Sequence, residues 1–261
     1  MSIKSTRIIG SIKGTKFGST KRTGGGTMIE SGGVTSGLII NYDFGNPSSW
    51  NGSGTTVTDL SGTNNTGTLA FSGTAPAYSS ENGGSVVFID SFSQYLYTTT
   101  QYTNPQTFSI GAWFKTAVGN GTKIIGFQAT QTGTGASAHD RQIYIGTDGK
   151  LYFGVFDGAV KSAISPLTYN DNNWYYVMGT YGGEGTTVRL YVNGVSVATN
   201  TASNAENYSG YWRIGAYSNT WTNGTTGYYI GNIGVVQVYN RALSAREVLQ
   251  NFNDRKGRFG L

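Results

Sequence analysis

From Leu38 to Tyr239 no apolar run goes far before a turn signal cuts it, and most runs alternate with a period of two. The plainest case is Thr187–Val192, then Asn193-Gly194, then Val195–Thr199. Asn-Gly supplies the two positive φ angles that a tight hairpin turn requires. Gly146-Thr147-Asp148-Gly149 joins Arg141–Ile145 to Leu151–Phe156 in a second hairpin. Thr107–Lys115 places Phe108, Ile110, Ala112 and Phe114 on one face of a strand. Leu38–Phe44, Ser85–Asp90, Tyr95–Thr99, Ile124–Gln128, Trp174–Tyr181, Trp212–Tyr217 and Ile230–Tyr239 complete a set of about a dozen short strands. Such a set predicts an all-β, two-sheet antiparallel sandwich. Forty glycines and 12% charged residues would suit a disordered chain, but 18 Tyr, 12 Phe and 5 Trp supply a core.

The pattern changes period once, after Tyr239. Ser244 and Glu247 form a capping box, and Leu243 with Val248 occupies the positions of a hydrophobic staple. Val248, Leu249 and Phe252 then share a face, which predicts one short helix near 244–252 with Gly257 just past its end.

The strand running into Tyr239-Asn240-Arg241-Ala242-Leu243-Ser244 resembles the C-terminal signature of laminin-G-like, concanavalin-A-like jelly rolls. Thr107–Lys115 and Trp174–Val195 occur in that family's order. Asp43-Phe44-Gly45-Asn46, Gly52-Ser53-Gly54-Thr55-Thr56 and Asp59-Leu60-Ser61-Gly62 are similar to the start of such domains in tailed-bacteriophage virion proteins. The ending Glu247–Leu261 resembles the tails of those proteins. The resemblance covers roughly residues 38–253. It implies a jelly roll whose first strand lies beside the closing one near Val235–Tyr239. It also implies a non-enzymatic structural protein of the virion, assembled in the bacterial cytoplasm. Its partners would be capsid-shell or tail proteins and further copies of itself, first as a capsid decoration protein. The alternative is a tail-fibre or tail-tip adhesin that binds cell-surface glycans.

The resemblance leaves an arm, 1–37, and a tail, 254–261, on either side of a body at 38–253. Residues 1–37 hold Lys4, Arg7, Lys13, Lys16, Lys21 and Arg22 against Glu30, and carry the whole formal net charge of +5. A basic arm on a neutral body points to an anionic partner for the arm. These six residues are therefore the expected anchoring contacts, by charge and by strand addition to neighbouring subunits. Aromatic interleaving is poor, with Phe17 alone, so nucleic acid is not the expected partner. Residues 254–261 read as a basic tail with Arg255, Lys256 and Arg258. The N-terminus has no apolar segment of the signal-peptide kind, no stretch is long enough to span a membrane, and there is no cysteine for disulfide or thiol chemistry.

Catalysis is not expected. A retaining glycosidase needs two carboxylates about 5–5.5 Å apart, whereas the acids here are scattered singly. His139 is the one histidine and receives no role. No cofactor is expected. The resemblance makes Asp90 a weak calcium candidate, because relatives often carry an Asp-Gly loop there. Ser91 replaces that Gly, Gln94 replaces a second Asp, and Gly234 stands where a later carboxylate is usual. Calcium requires six to eight oxygens. For glycans, Tyr217, Asn219, Trp221 and Asn223 cluster in one predicted loop, and Trp50 with Asn51 in another. Sugars stack on exposed aromatics and hydrogen-bond to amides, so these are the candidate contacts.

Overall fold

A computed structural model describes residues 32–134, 138–183, 185–216 and 220–261. The six basic arm residues proposed as anchors lie outside the described residues. Seventeen strands and one α-helix are described. The first nine strands are β1 (Leu38–Asp43), β2 (Thr56–Val57), β3 (Gly67–Ala70), β4 (Ala77–Ser79), β5 (Ser85–Phe88), β6 (Tyr95–Thr98), β7 (Tyr102–Thr103), β8 (Phe108–Lys115) and β9 (Lys123–Gln128). After them come β10 (His139–Ile145), β11 (Lys150–Phe156), β12 (Val160–Thr168), β13 (Trp174–Tyr181) and β14 (Thr187–Val192). The last are β15 (Val195–Thr201), β16 (Ser209–Ile214), β17 (Gly231–Tyr239) and the helix α1 (Ala245–Arg255).

They build two antiparallel sheets. The first runs β15-β14-β13-β8-β17-β5-β4, with β1 also paired to β17. The second runs β12-β11-β10-β9-β16-β6-β3-β2, with β7 beside β16. As expected, the first strand of the body closes on the last, Asp43 facing Val235 and Tyr42 facing Val236. The Asn193-Gly194 turn has φ of 50° and 81°, the pair of positive values that lets β14 return as β15.

Period-two alternation sends one set of side chains between the sheets. Phe108, Ile110, Ala112 and Phe114 meet Ile125, Phe127, Phe153 and Trp212 there, all buried. The opposite face of the first sheet is also apolar. Trp113, Tyr176 and Met178 point outward and are covered by Val248 and Phe252 of α1 and by Phe259. The helix starts as the capping box dictates, with Glu247 N donating to the Ser244 hydroxyl and Ser244 N donating back to the Glu247 carboxylate. It runs to Arg255, past the predicted 252. Its turns continue to Gly260, where φ reaches 79°, so Gly257 is not the terminator.

Residues 254–261, read above as a tail, pack on the body. Arg255 and Arg258 both bind the Asp43 carboxylate at 2.6 Å. The Phe259 ring stacks on Trp113 with centroids 4.2 Å apart. Gly234 makes room for it: a Cβ there would stand 2.7 Å from the Phe259 ring. The space that a side chain at position 234 would occupy is thus filled by an aromatic ring from the chain's end. Val34, assigned to the arm, is likewise buried, its N–H donating to Asn251 Oδ1.

Candidate functional site

The outward face of the second sheet differs from that of the first. Alternation turns Trp212 and Ile214 of β16 into the core and leaves Tyr211 and Arg213 facing out. The same rule faces Tyr95 and Tyr97 of β6, Gln142 and Tyr144 of β10, and Tyr152 and Phe156 of β11 outward. Lys123 of β9 joins them, because an irregularity in the register pairs it with Tyr144. One face therefore carries two cations, several amides and a band of tyrosines.

Two segments cross this face. In the 129–134 segment, the Gln131 amide donates to Thr98 O and Gly133 O accepts from Arg213 Nη2 at 3.0 Å. The 220–228 segment lays Trp221 edge-on to Tyr144, which stacks on Tyr152 at 4.7 Å. Tyr144 OH donates to Thr222 O, Asn223 Nδ2 donates to Tyr152 OH, and the Tyr228 ring stacks on Tyr95.

Beneath these segments, polar groups are buried without partners. Lys123, Gln128 and Arg213 are fully buried. Among the described residues, Lys123 Nζ, both amide atoms of Gln128, and Nε and Nη1 of Arg213 have no hydrogen-bond partner. Buried polar atoms are paired in the great majority of native structures. Burial pushes the Lys123 ammonium well below its ordinary range, and the neighbouring Arg213 charge pushes it further. Arg213 is also lowered by burial and lies over the Tyr95 ring at 4.5 Å. His139, half-buried at the edge of the face, is pushed down to about 4 by burial and by the Lys123 charge.

The residues picked out by sequence fall in different places. Trp221 is only 7% exposed, so its ring is turned into the Tyr144–Tyr152 shelf and not out to solvent, which corrects its reading as an exposed stacking platform. Asn223 belongs to the same segment and spends its amide on Tyr152. Tyr217 and Asn219 lie outside the described residues. Trp50 is buried edge-on to Phe44 and Tyr78 and forms a wall of a hollow of about 280 Å³ lined by Ser48, Asn51, Ser53 and Thr58. Asp90 uses Oδ1 to accept from Tyr228 N at 2.7 Å, and Gln94 bridges Ile89 N and Thr74 O. No group of three or more metal-ligating side chains occurs among the described residues. A groove of about 370 Å³ also runs beside the start of α1, lined by Thr180, Arg189, Tyr191, Leu243 and Ser244.

Most carboxylates here hold structure. Asp140 and Arg141, read as a polar strand start, are fully buried and ion-paired. Asp140 accepts from Tyr208 OH and Glu206 N, and Arg141 donates to Pro105 O and Asn104. Asp59 ties Asn41 N, Ser61 and Asn65 N together. Glu247 is held at about 2, first by its bonds from Arg241 and then by Ser244.

The laminin-G-like family model of the concanavalin A-like lectin/glucanases superfamily matches residues 90–249, more than half of the chain, and the chain belongs to this family. Among solved structures it is similar to domain 4 of an extracellular arabinanase from Geobacillus stearothermophilus in complex with arabinotriose. That match has 16% identity and a TM-score of 0.54, over 82% of this chain and 97% of that one. It is similar to the binding domain of botulinum neurotoxin DC in complex with SialylT at 15% identity and a TM-score of 0.54, over 84% of this chain and 52% of that one. It is also similar to the Trypanosoma rangeli sialidase in complex with the inhibitor DANA, at 13% identity and a TM-score of 0.58, over 89% of this chain and 35% of that one. The chain thus spans about half of the neurotoxin domain and about a third of the sialidase. At these identities the likeness establishes the fold. No curated protein matches the chain.

Proposed function

We propose that this protein is a non-enzymatic carbohydrate-recognition module, and that the outward face of the second sheet is its recognition surface. The observation that carries this reading is the gathering of partnerless buried donors and acceptors among tyrosines on that one face. Sugars need this mixture, since hydroxyls satisfy amides and cations while ring C–H faces stack on aromatics. The arabinotriose and SialylT in the neighbouring structures support ranking recognition ahead of shell decoration. The absence of chemistry is supported by Asp43, Asp140 and Glu247, whose oxygens are taken up by arginines, and by Asp90, which accepts from Tyr228 N.

A glycan array of the full chain, followed by calorimetry, tests the reading. Tyr97 and Tyr211 are half-buried on the face, so Tyr97→Ala and Tyr211→Ala should each weaken a bound glycan about tenfold, the worth of one aromatic contact. Ser53→Ala, in the Trp50 hollow, should leave affinity unchanged. Loss in Ser53→Ala with both tyrosine variants unaffected would move the site to that hollow.

Attachment to a virus particle is the second reading, favoured by the charge division: all of the +5 sits in residues 1–37. Gold-labelled antibody on purified particles tests it. Label over the head supports decoration, label at the tail tip supports the adhesin, and a particle without the protein contradicts both.

A further inference from the structure

Two cations are driven together in the middle of this face. Gly126 of β9 faces Arg213 across the ladder. A Cβ at Gly126 would lie 2.8 Å from Lys123 Cδ and 3.1 Å from Cε, so the bare glycine is what lets the Lys123 side chain lie over this position, next to Arg213. Neither residue has an ion-pair partner among the described residues. Asp140 attracts Lys123, but its oxygens are taken by Arg141, Tyr208, Glu206 N and Phe156 N. The sequence at 135–137 (Gly-Ala-Ser) and at 217–219 (Tyr-Ser-Asn) contains no carboxylate. Burying one unpaired cation is costly and burying two side by side more so, unless an anion joins them.

We propose that Lys123 and Arg213 form an anion-recognition centre on this face, and that the sugar it takes bears a carboxylate or sulfate group. The inference rests on the carbohydrate-recognition reading and adds the class of sugar. Arg213 spends only Nη2, on Gly133 O; Nε and Nη1 are unpartnered, and with that carbonyl displaced Nη2 pairs with either of them for a bidentate contact with a planar or tetrahedral anion. Lys123 supplies the second charge as a compact point donor. Gln128, whose amide is also unpartnered, stands across the ladder from Tyr211 on the same face and serves the hydroxyls beside the charged group. The half-buried rim of Tyr97, Tyr211 and His139 carries the sugar ring. The anion displaces the Gly133 carbonyl, the one hydrogen-bond acceptor Arg213 has among the described residues.

The test is calorimetry of the full chain with three ligands: a hexuronic-acid oligosaccharide, the same oligosaccharide with its carboxyls reduced to alcohols, and a sulfated oligosaccharide. At least one acidic sugar should bind tenfold or more tightly than the reduced one, and the two acidic arms separate carboxylate from sulfate. Lys123→Met and Arg213→Met should each erase that preference while melting at or above the parent, since each removes an unpaired buried charge. A purely structural role would lower the melting temperature and leave the preference intact. Equal affinity for acidic and reduced sugars, or a preference retained in both variants, overturns the inference and leaves the carbohydrate reading standing. Binding of none of the three, together with an empty glycan array, overturns both. Should a variant not fold, the ratio measured on the parent decides.

Discussion

Trp113→Ala should cost about 3–5 kcal/mol of stability, the range for removing a large buried aromatic. Trp113 is fully buried on the outward face of the first sheet, and its ring stacks on Phe259 at 4.2 Å and Phe252 at 5.7 Å and lies 5.3 Å from Tyr176. Alanine would leave a cavity under α1 that a sheet cannot collapse to fill. Trp113→Phe should cost less, about 1–2 kcal/mol, because the indole N–H has no partner among the described residues and nothing polar is lost with it. Urea unfolding followed by circular dichroism measures both. A Trp113→Ala cost below about 1 kcal/mol would mean that the helix and the chain's end are not held on this face.

Asp43→Ala comes second, with an expected loss of about 2–4 kcal/mol, somewhat below the figure for a wholly buried pair because both arginines keep some contact with water. One carboxylate receives Arg255 Nη1 and Arg258 Nη1, and Arg258 also donates to Asn82 O and Gly84 O. This cluster ties β1 to the end of the chain. Burial alone would raise the Asp43 carboxyl, but the Arg258 bond and the two guanidinium charges outweigh it and hold it below the ordinary value. A carboxylate lowered on folding contributes stability above its unfolded pKa, and that contribution disappears as pH falls through its folded one. The parent should therefore lose stability below about pH 4, and Asp43→Ala should lose less over the same interval. Parallel slopes in the two proteins would show that Asp43 is not the acid-sensitive group.

What the chain reveals without coordinates depends on how local each signal is. The capping box at Ser244 and Glu247, the Asn193-Gly194 turn and the alternation through Phe108–Phe114 involve neighbours within a few residues, and all three appear as expected. The strand Val160–Thr168 carries no such local signal, because it is an edge strand. It mixes Lys161, Pro166 and exposed Ile164 and Leu167, and pairing with β11 makes it a strand. The segment predicted as Trp212–Tyr217 lies earlier, at Ser209–Ile214, because Gly215 turns the chain with φ of 68°. The packing of the basic end is illegible locally for a long-range reason, its arginines meeting an acid more than two hundred residues away. The proposed recognition face is hidden by the same physics. A lysine or arginine in a strand reads as solvent-facing, yet Lys123 and Arg213 are both fully buried, and Arg213 meets Gly133 O of the 129–134 segment. The signal was present in Lys123 and Arg213 themselves, each next to an apolar residue within a strand otherwise bound for the core.

The most direct test of the account is hydrogen exchange on the full chain with and without the tightest glycan found on the array. Binding at the outward face of the second sheet predicts slowed exchange in β9, β10 and β16 and in the 220–228 segment. Protection confined to the groove beside Ser244, or to the hollow around Trp50, would contradict the account and place recognition elsewhere on the sandwich.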